Sequence, residues 1–459
     1  MVHLRRSFAA VLALFALGFP QSARAQPAPD APPVEADPAD PNGTGIWIDV
    51  PIFDVQFGAL DHPVLPSMGQ STAVAGDLYS LSHFGIGQLI DPYDAKGWKR
   101  FLGRAALIAF DGLTLSVPFF GGWQHEEWHR AVMGNRGIDS EDEIYGFHLF
   151  SSHVSVSHVE DAGLANLTEQ HPAEAVRLYS AGIEANYELA THLEKNEFFM
   201  RTRIASGTTA LVTYVANSLY WAACTQLSAQ DVVQPASIPD RDFVGPDCTG
   251  WAYDLFHPGQ SYASRGLDPN GGVQRYQSTD AVGPAGARYL KTQLALSFLN
   301  FIDPNIIGIN AFTIAGQTPT RVNAHVRHEP TSFGTDTSLE VFFGRGDLRL
   351  FGAAHTYLDR DYGYRPGLSI ELVRWPLART IALHPALTVR ADAWVQPAGL
   401  DMASNHVGGR LQTRLGVHAI GPLETWIEAE GKTAGWAAGS VALDPAVAVR
   451  AGVSLALVR

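Results

Sequence analysis

The chain has 459 residues, long enough for two or three domains and a large core. It is acidic, with a net charge of −14 and only 17% charged residues. That balance excludes a broad nucleic-acid-binding surface and general attraction to anionic lipid head groups.

Residues 1–25 read as a secretory signal. Arg5-Arg6 begins it, Phe8 to Phe19 is a short apolar run, and Ala23-Arg24-Ala25 is a cleavage site before Gln26. Without this segment, 29 basic residues face 46 acidic ones, a net charge of −17. Residues 26–45, rich in Pro, Ala and Asp, are expected to be a disordered linker. Residues 46–320 form the next expected unit, a mainly helical domain. It opens on an apolar, β-branched extended segment, Ile46 to Phe57. A helix is expected from near Tyr93 through Leu102, and Ala105 to Gln124 carries one charge, Asp111.

That apolar stretch runs into Gln124-His125-Glu126-Glu127-Trp128-His129. On a helix, positions i and i+4 share a face, so His125 and His129 can hold one metal ion between them. Glu126 is then placed to take a proton from a metal-bound water. Two imidazoles, an open position for water and a carboxylate are what zinc-assisted hydrolysis needs. Trp128 reads as core and Glu127 as structural or solvated. Met133-Gly134-Asn135-Arg136-Gly137 is a helix stop. Residues 139–143 read as a solvated acidic turn, and 153–157 alternate like a half-buried strand. His148, His153 and His158, five apart, match no ligand spacing.

Pro172 opens a helix to about Glu197. Glu184, Glu188 and His192 form one stripe on it, and Ser180, Ala181, Gly182 and Ala185 would let a second helix come close. Ile204 to Cys224 has no formal charge over 21 residues, but its Ser, Thr and Asn favour a buried or partly lipid-facing helix over an inner-membrane span. Residues 226–286 are an irregular insert, suited to a lid. Cys224 and Cys248 can form a disulfide or remain two buried thiols; neither is near the histidine pair in sequence. A further helix is expected over Ala287 to Ile302.

After residue 320 the texture changes. Leu387, Val389, Ala391, Ala393 and Val395 alternate with polar residues, as do Leu411, Thr413, Leu415 and Val417. About eight such runs fill residues 321–459. The alternation alone does not say which face points out.

His125-Glu126-Glu127-Trp128-His129 resembles the zincin metallopeptidases. Val132 and Asn135 stand where the metzincin branch has Gly and His, so the likeness is to the gluzincin-like branch. That resemblance covers about residues 100–200 and implies a Zn2+ cofactor held by His125, His129 and Glu184, with Glu188 as runner-up for the third ligand. It further implies Glu126 as general base, a peptide or protein substrate, and an oxyanion donor, for which Tyr187 and His192 are candidates. The C-terminal third resembles outer-membrane β-barrels. The expected fold class is therefore α+β, a helical zincin-like domain followed by an antiparallel β-barrel of about eight strands. The expected function is an exported zinc metalloendopeptidase held in the cell envelope, in the outer membrane or else the periplasm. The alternative is a non-enzymatic outer-membrane barrel, a pore or anchor with a helical plug and at most a structural metal. The oligomeric state is left open.

Overall fold

The computed structural model describes residues 45–57, 65–90, 97–115, 117–143, 155–202, 204–378, 383–420 and 422–457. The signal peptide and almost all of the linker expected before residue 46 lie outside the described residues. Eight α-helices come between the first strand and the main run of strands: α1 Met68–Leu89, α2 Trp98–Thr114, α3 Gly121–Gly134, α4 Asp161–Gln170, α5 Pro172–Phe199, α6 Ser206–Cys224, α7 Asp247–Phe256 and α8 Gly283–Ser297. The strands of the main sheet are β1 Ile46–Phe57, β4 Phe312–Ile314, β5 Thr320–Pro330, β6 Gly334–Arg345, β7 Leu348–Asp359, β8 Tyr364–Pro376, β9 Ala386–Ala398, β10 Asp401–Ile420, β11 Leu423–Lys432 and β12 Ala446–Leu457. A two-stranded ribbon, β2 Glu141–Asp142 and β3 Val156–Ser157, stands apart.

The expected barrel and separate helical domain are both corrected. The alternating runs after residue 320 are strands, but they belong to one open antiparallel sheet of ten strands, ordered β1-β12-β11-β10-β9-β8-β7-β6-β5-β4. β1 comes from the part of the chain assigned to the helical unit, and it pairs with β12 from Ile46↔Leu457 to Phe57↔Val447. The helices pack on the sheet instead of forming a unit of their own; α5 touches α1, α3, α4, α6, α7 and β5. Alternation identifies strands, but edges and closure depend on pairings it does not encode.

The polarity of the sheet is inverted relative to a soluble sandwich. Leu339, Val341, Leu368, Ile370, Val407, Leu411, Ile427 and Val447 point away from the helices and are exposed. Many of the intervening residues are buried and polar or charged. They pair across strands and with the helices: Arg414 with Asp49 at 2.7 Å, Arg450 with Glu428 at 2.7 Å and Asp54 at 2.9 Å, and Lys195 of α5 with Glu371 at 2.7 Å. A buried charge is tolerated only when paired and hydrogen-bonded, so the helices and the sheet's inner face specify one another.

The helical part contacts the sheet near both edges. At the β1 edge, the carboxylate of Asp77 in α1 accepts from the Asp49 N–H at 3.0 Å, and Gln70 Nε2 donates to the Pro51 carbonyl at 3.2 Å. Ser67 caps α1, accepting from the Gln70 N–H at 3.1 Å while its own N–H donates to Gln70 Oε1, a capping box. At the other edge β4 is three residues long; beyond it Val326 N–H donates to the Ile302 carbonyl, and Asn300 both donates to the His328 carbonyl and accepts from its N–H. An uncovered edge would invite pairing with other chains.

Other local expectations divide. The helix expected over 173–197 is α5, and the uncharged stretch after Ile204 is the buried helix α6. Among the described residues no helix is long and apolar enough to cross a membrane. The acidic turn is not a solvated loop throughout: Glu141–Asp142 pairs with Val156–Ser157, and Asp142 is buried. His158 is exposed, while His148 and His153 lie outside the described residues.

Burial pushes the Asp77 carboxyl up to about 8. A carboxyl raised in the folded state contributes stability in full below its unfolded pKa of about 4, and that contribution is lost as pH rises toward the folded value. Thermal unfolding followed by circular dichroism should therefore show wild type losing stability between about pH 4 and 8 relative to Asp77→Asn, with the two curves converging in slope above that window.

Candidate metal centre

α3 begins at Gly121 after the turn at Phe120 and carries the His-Glu-x-x-His sequence through its middle. Its orientation is fixed on both sides. Trp128 is buried, its Nε1–H donating to the Met68 carbonyl at 3.2 Å. Gln124 Nε2 donates to Thr72 Oγ1 at 2.8 Å and to the Ala185 carbonyl at 3.0 Å, bridging α1 and α5. Glu127 pairs with Arg130 at 2.7 Å and is structural.

With α3 held this way, His125 and His129 face α5 at Gly182. A Cβ built on Gly182 would lie 2.3 Å from the Nε2 atoms of both rings. No side chain larger than hydrogen fits there, so the space in front of both nitrogens exists because residue 182 is glycine. His129 is 0% exposed; its Nδ1–H donates to the Leu178 carbonyl at 2.6 Å, and its Nε2 accepts no hydrogen bond. This backbone contact fixes the tautomer that leaves Nε2 as a lone pair. His125 Nδ1 lies 3.2 Å from the side-chain amide of Asn186, which also contacts Asn217 at 2.9 Å. Asn186 Nδ2 faces the ring and donates to Asn217 Oδ1, so α5 and α6 together position His125.

The third donor is Asp247. Its Oδ2 is 3.0 Å from His125 Nε2 and its Oδ1 is 3.5 Å from His129 Nε2. Donor atoms of His125, His129 and Asp247 all lie within 4.8 Å of one another. Together they could hold a metal ion.

Glu184, the expected third ligand, is not at this point. It is two residues beyond Gly182, and two steps of about 100° turn it to the far side of α5. There Arg177 donates to it at 3.0 Å, Trp436 Nε1–H at 3.1 Å and the Gly439 N–H at 3.1 Å. Burial raises the Glu184 carboxyl despite the Arg177 charge. Glu188, one turn further, lies on the same stripe and is likewise outside the donor group. The candidate oxyanion donors are also elsewhere: Tyr187 accepts from Asn300 at 3.3 Å, and His192 lies beside Asn196 at 3.1 Å. The phenol at the site is Tyr220, whose oxygen accepts from the Asp247 N–H at 2.7 Å.

Asp247 belongs to the insert between α6 and α8, which is not irregular throughout, since it contains α7. The segment Asp242-Phe243-Val244-Gly245-Pro246-Asp247 lies beside α3, with the Phe243 ring 4.8 Å from that of His129 and stacked on Tyr179. Buried arginines anchor the insert: Arg275 reaches Asp161 at 2.8 Å and the Val159 carbonyl at 2.6 Å, and Arg241 reaches the Gly271 carbonyl at 2.7 Å. Cys224 at the end of α6 is disulfide-bonded to Cys248, with Cα atoms 6.1 Å apart. Closing a loop across 24 residues is worth about 3 kcal/mol. The bridge therefore fixes the residue next to the third donor, although both cysteines are far from the histidines in sequence. Asp247 could have been suspected from Pro246-Asp247, a proline-acid helix start beside a cysteine.

Acidic groups crowd the site. Burial raises the Glu126 carboxyl well above its usual range, and Asp242, Asp247, Asp142 and Glu127 add to this. Burial and Asp247 push Asp242 up to about 8. Burial alone would raise Asp247 and lower His129; their mutual attraction reverses both, holding the carboxyl far below and the imidazole above its ordinary value. A divalent cation among these groups would relieve the crowding of acids.

The sequence matches no protein-family model and no curated protein, and the fold matches no solved structure.

Gly182→Ala should remove metal from this site while the fold survives, because the added methyl would overlap both Nε2 atoms. Atomic absorption on the purified variant should show the loss of about one equivalent of bound metal per chain relative to wild type, with an unchanged circular dichroism spectrum. Full metal content in this variant would mean that the ion is held elsewhere.

Proposed function

We propose that the protein is an exported zinc metalloendopeptidase with His125, His129 and Asp247 as zinc ligands and Glu126 as general base. The observation that carries this reading is the convergence of two Nε2 atoms and one carboxylate on the space left by Gly182, with Glu126 on the next residue of the same helix. A donor set of two imidazoles and one carboxylate suits zinc, and catalytic zinc sites commonly use three protein ligands. Zinc, when bound, supplies an activated water and polarises the substrate carbonyl. The chain's own residues do the rest. Glu126, kept basic enough by burial and neighbouring acids to hold a proton, takes one from the attacking water and passes it to the leaving amine. The Leu178 carbonyl holds His129 in the ligating tautomer, and Asn186 positions the His125 ring. Tyr220 accepts from the Asp247 N–H, so its own O–H is available to a developing oxyanion.

Glu126→Gln should keep its zinc and lose hydrolysis of casein or a quenched fluorogenic peptide by about 10²-fold or more. Zinc retained with no difference in hydrolysis between wild type and variant would overturn the peptidase reading and leave a structural metal.

The location we propose is the outer membrane, with the outward face of the sheet against lipid hydrocarbon. Support comes from the apolar residues on that face, the charges turned inward, and helical contacts to backbone groups of β1 and β5 near the two edges. Strands of 10–13 residues, such as β5 to β9, β11 and β12, are long enough to cross a bilayer core when tilted. Leu368 and Leu411 are 56% and 57% exposed. Replacing either by Arg should destabilise the protein in phosphatidylcholine vesicles by about 2–4 kcal/mol in urea unfolding if it sits near the midplane. A change within about 0.5 kcal/mol is what a water-facing site would give, and would overturn the lipid contact.

A further inference from the structure

A second constellation lies further along α5. Glu194 of α5, Asp303 at the start of the turn Pro304–Ile307, and His325 of β5 bring donor atoms within 4.8 Å of one another. All three are buried, Glu194 being 4% exposed and His325 2%. His325 Nδ1 is 3.3 Å from Glu194 Oε2 and 3.8 Å from Asp303 Oδ1.

Three features set this group apart from the paired charges elsewhere on the sheet's inner face. First, neither carboxylate oxygen of Glu194 accepts a hydrogen bond, although the side chain is buried and aimed at the group. Most buried carboxylates on α5 are matched: Glu184 by Arg177, Glu174 by Arg136, and Glu197 by Ser206 and Asn310. Second, His325 is already oriented as a ligand. It lies opposite Glu340 in the β5–β6 register, and its Nε2 is 2.6 Å from Glu340 Oε2. A carboxylate on one ring nitrogen fixes the tautomer that frees the other, the arrangement found behind most metal-bound histidines. Third, Asp303 is held in place by donors on both oxygens: its Oδ1 accepts from the Asn305 N–H at 2.8 Å and its Oδ2 from the Tyr214 hydroxyl at 3.0 Å.

The local charge is unbalanced. Glu194, Asp303 and Glu340 face one guanidinium, Arg327, whose Nη2 is 3.5 Å from Glu194 and 3.6 Å from Glu340 and whose Nη1 donates to Tyr214 at 3.0 Å. Arg327 offsets one carboxylate, and a divalent cation would offset the other two. We propose that Glu194, Asp303 and His325 form a second divalent-cation site that ties α5, the turn after α8 and β5 together. One imidazole with two carboxylates favours a first-row ion such as zinc or manganese over calcium or magnesium. Gly182 and Glu194 are twelve residues apart on α5, about 18 Å along the helix, so the two sites cannot share a bridging ligand. The inference does not depend on the peptidase reading.

The test is metal stoichiometry on the full-length protein. The protein is stripped with chelator, exposed separately to zinc and to manganese, desalted and measured by plasma mass spectrometry. Wild type should hold about two equivalents of at least one ion, His129→Ala about one, and the double variant Glu194→Gln/Asp303→Asn about one. Adding His129→Ala to the double variant should remove the remainder. No metal on folded His129→Ala, or two equivalents on the double variant, overturns the proposal; the first outcome would mean that Glu194 and Asp303 share a proton instead. If the double variant does not fold, His129→Ala decides alone. X-ray absorption on its cobalt-loaded form should report one imidazole in the ligand shell, and two would overturn the assignment.

Discussion

The constraint on which this structure rests is the charged inner face of the sheet. Arg414, Arg450, Glu428 and Glu371 all point toward the helices, and none could stay there without a partner. Some partners lie on adjacent strands, and others come from β1 and α5. The helical segment is therefore not an appended domain but the counter-charge and filling for the sheet. Its most buried element, α5, carries polar groups along most of its length because it must answer charges on several sides at once.

That constraint explains which parts were legible in the sequence. The histidine pair and Glu126 could be read because their geometry is local: a helix repeat places them, and α3 is a helix. Strands over the alternating runs could be read for the same reason. The closing partners could not. Nothing in the alternation of Leu411 or Val447 says that β1 lies beside β12, so an open sheet of ten strands was read as a barrel of eight. Asp247 was missed because it is 118 residues from His129, in a proline- and glycine-rich insert whose path is set by Arg275, Arg241 and a disulfide. The zincin-like resemblance points to Glu184, which lies among small residues. The small residues did mark the helix that approaches α3, but the one that matters is Gly182 itself, and a carboxylate two positions on points the other way.

The metal centre draws on four separate parts of the chain, and each contributes something different. α3 gives two imidazoles, α5 gives an absence of side chain and an orienting carbonyl, the insert gives a carboxylate, and α6 gives Asn217 and Tyr220. Rigid supports around such a constellation limit the reorganisation needed when an ion or substrate arrives. The disulfide between Cys224 and Cys248 acts here, tying α6 to the start of α7 next to Asp247.

The pairing of β1 with β12 also bears on how the chain reaches this state. The strand at Ile46 has its partner near Leu457, so the sheet cannot be completed until nearly the whole polypeptide is present. Contacts between sequence-distant segments close large loops and slow folding. Until that pairing forms, β1 waits without its partner strand, and Asp54 lacks its contact with Arg450. An emerging chain would carry the unpaired β1 throughout synthesis, which is a reason for it to need a holding partner along the way.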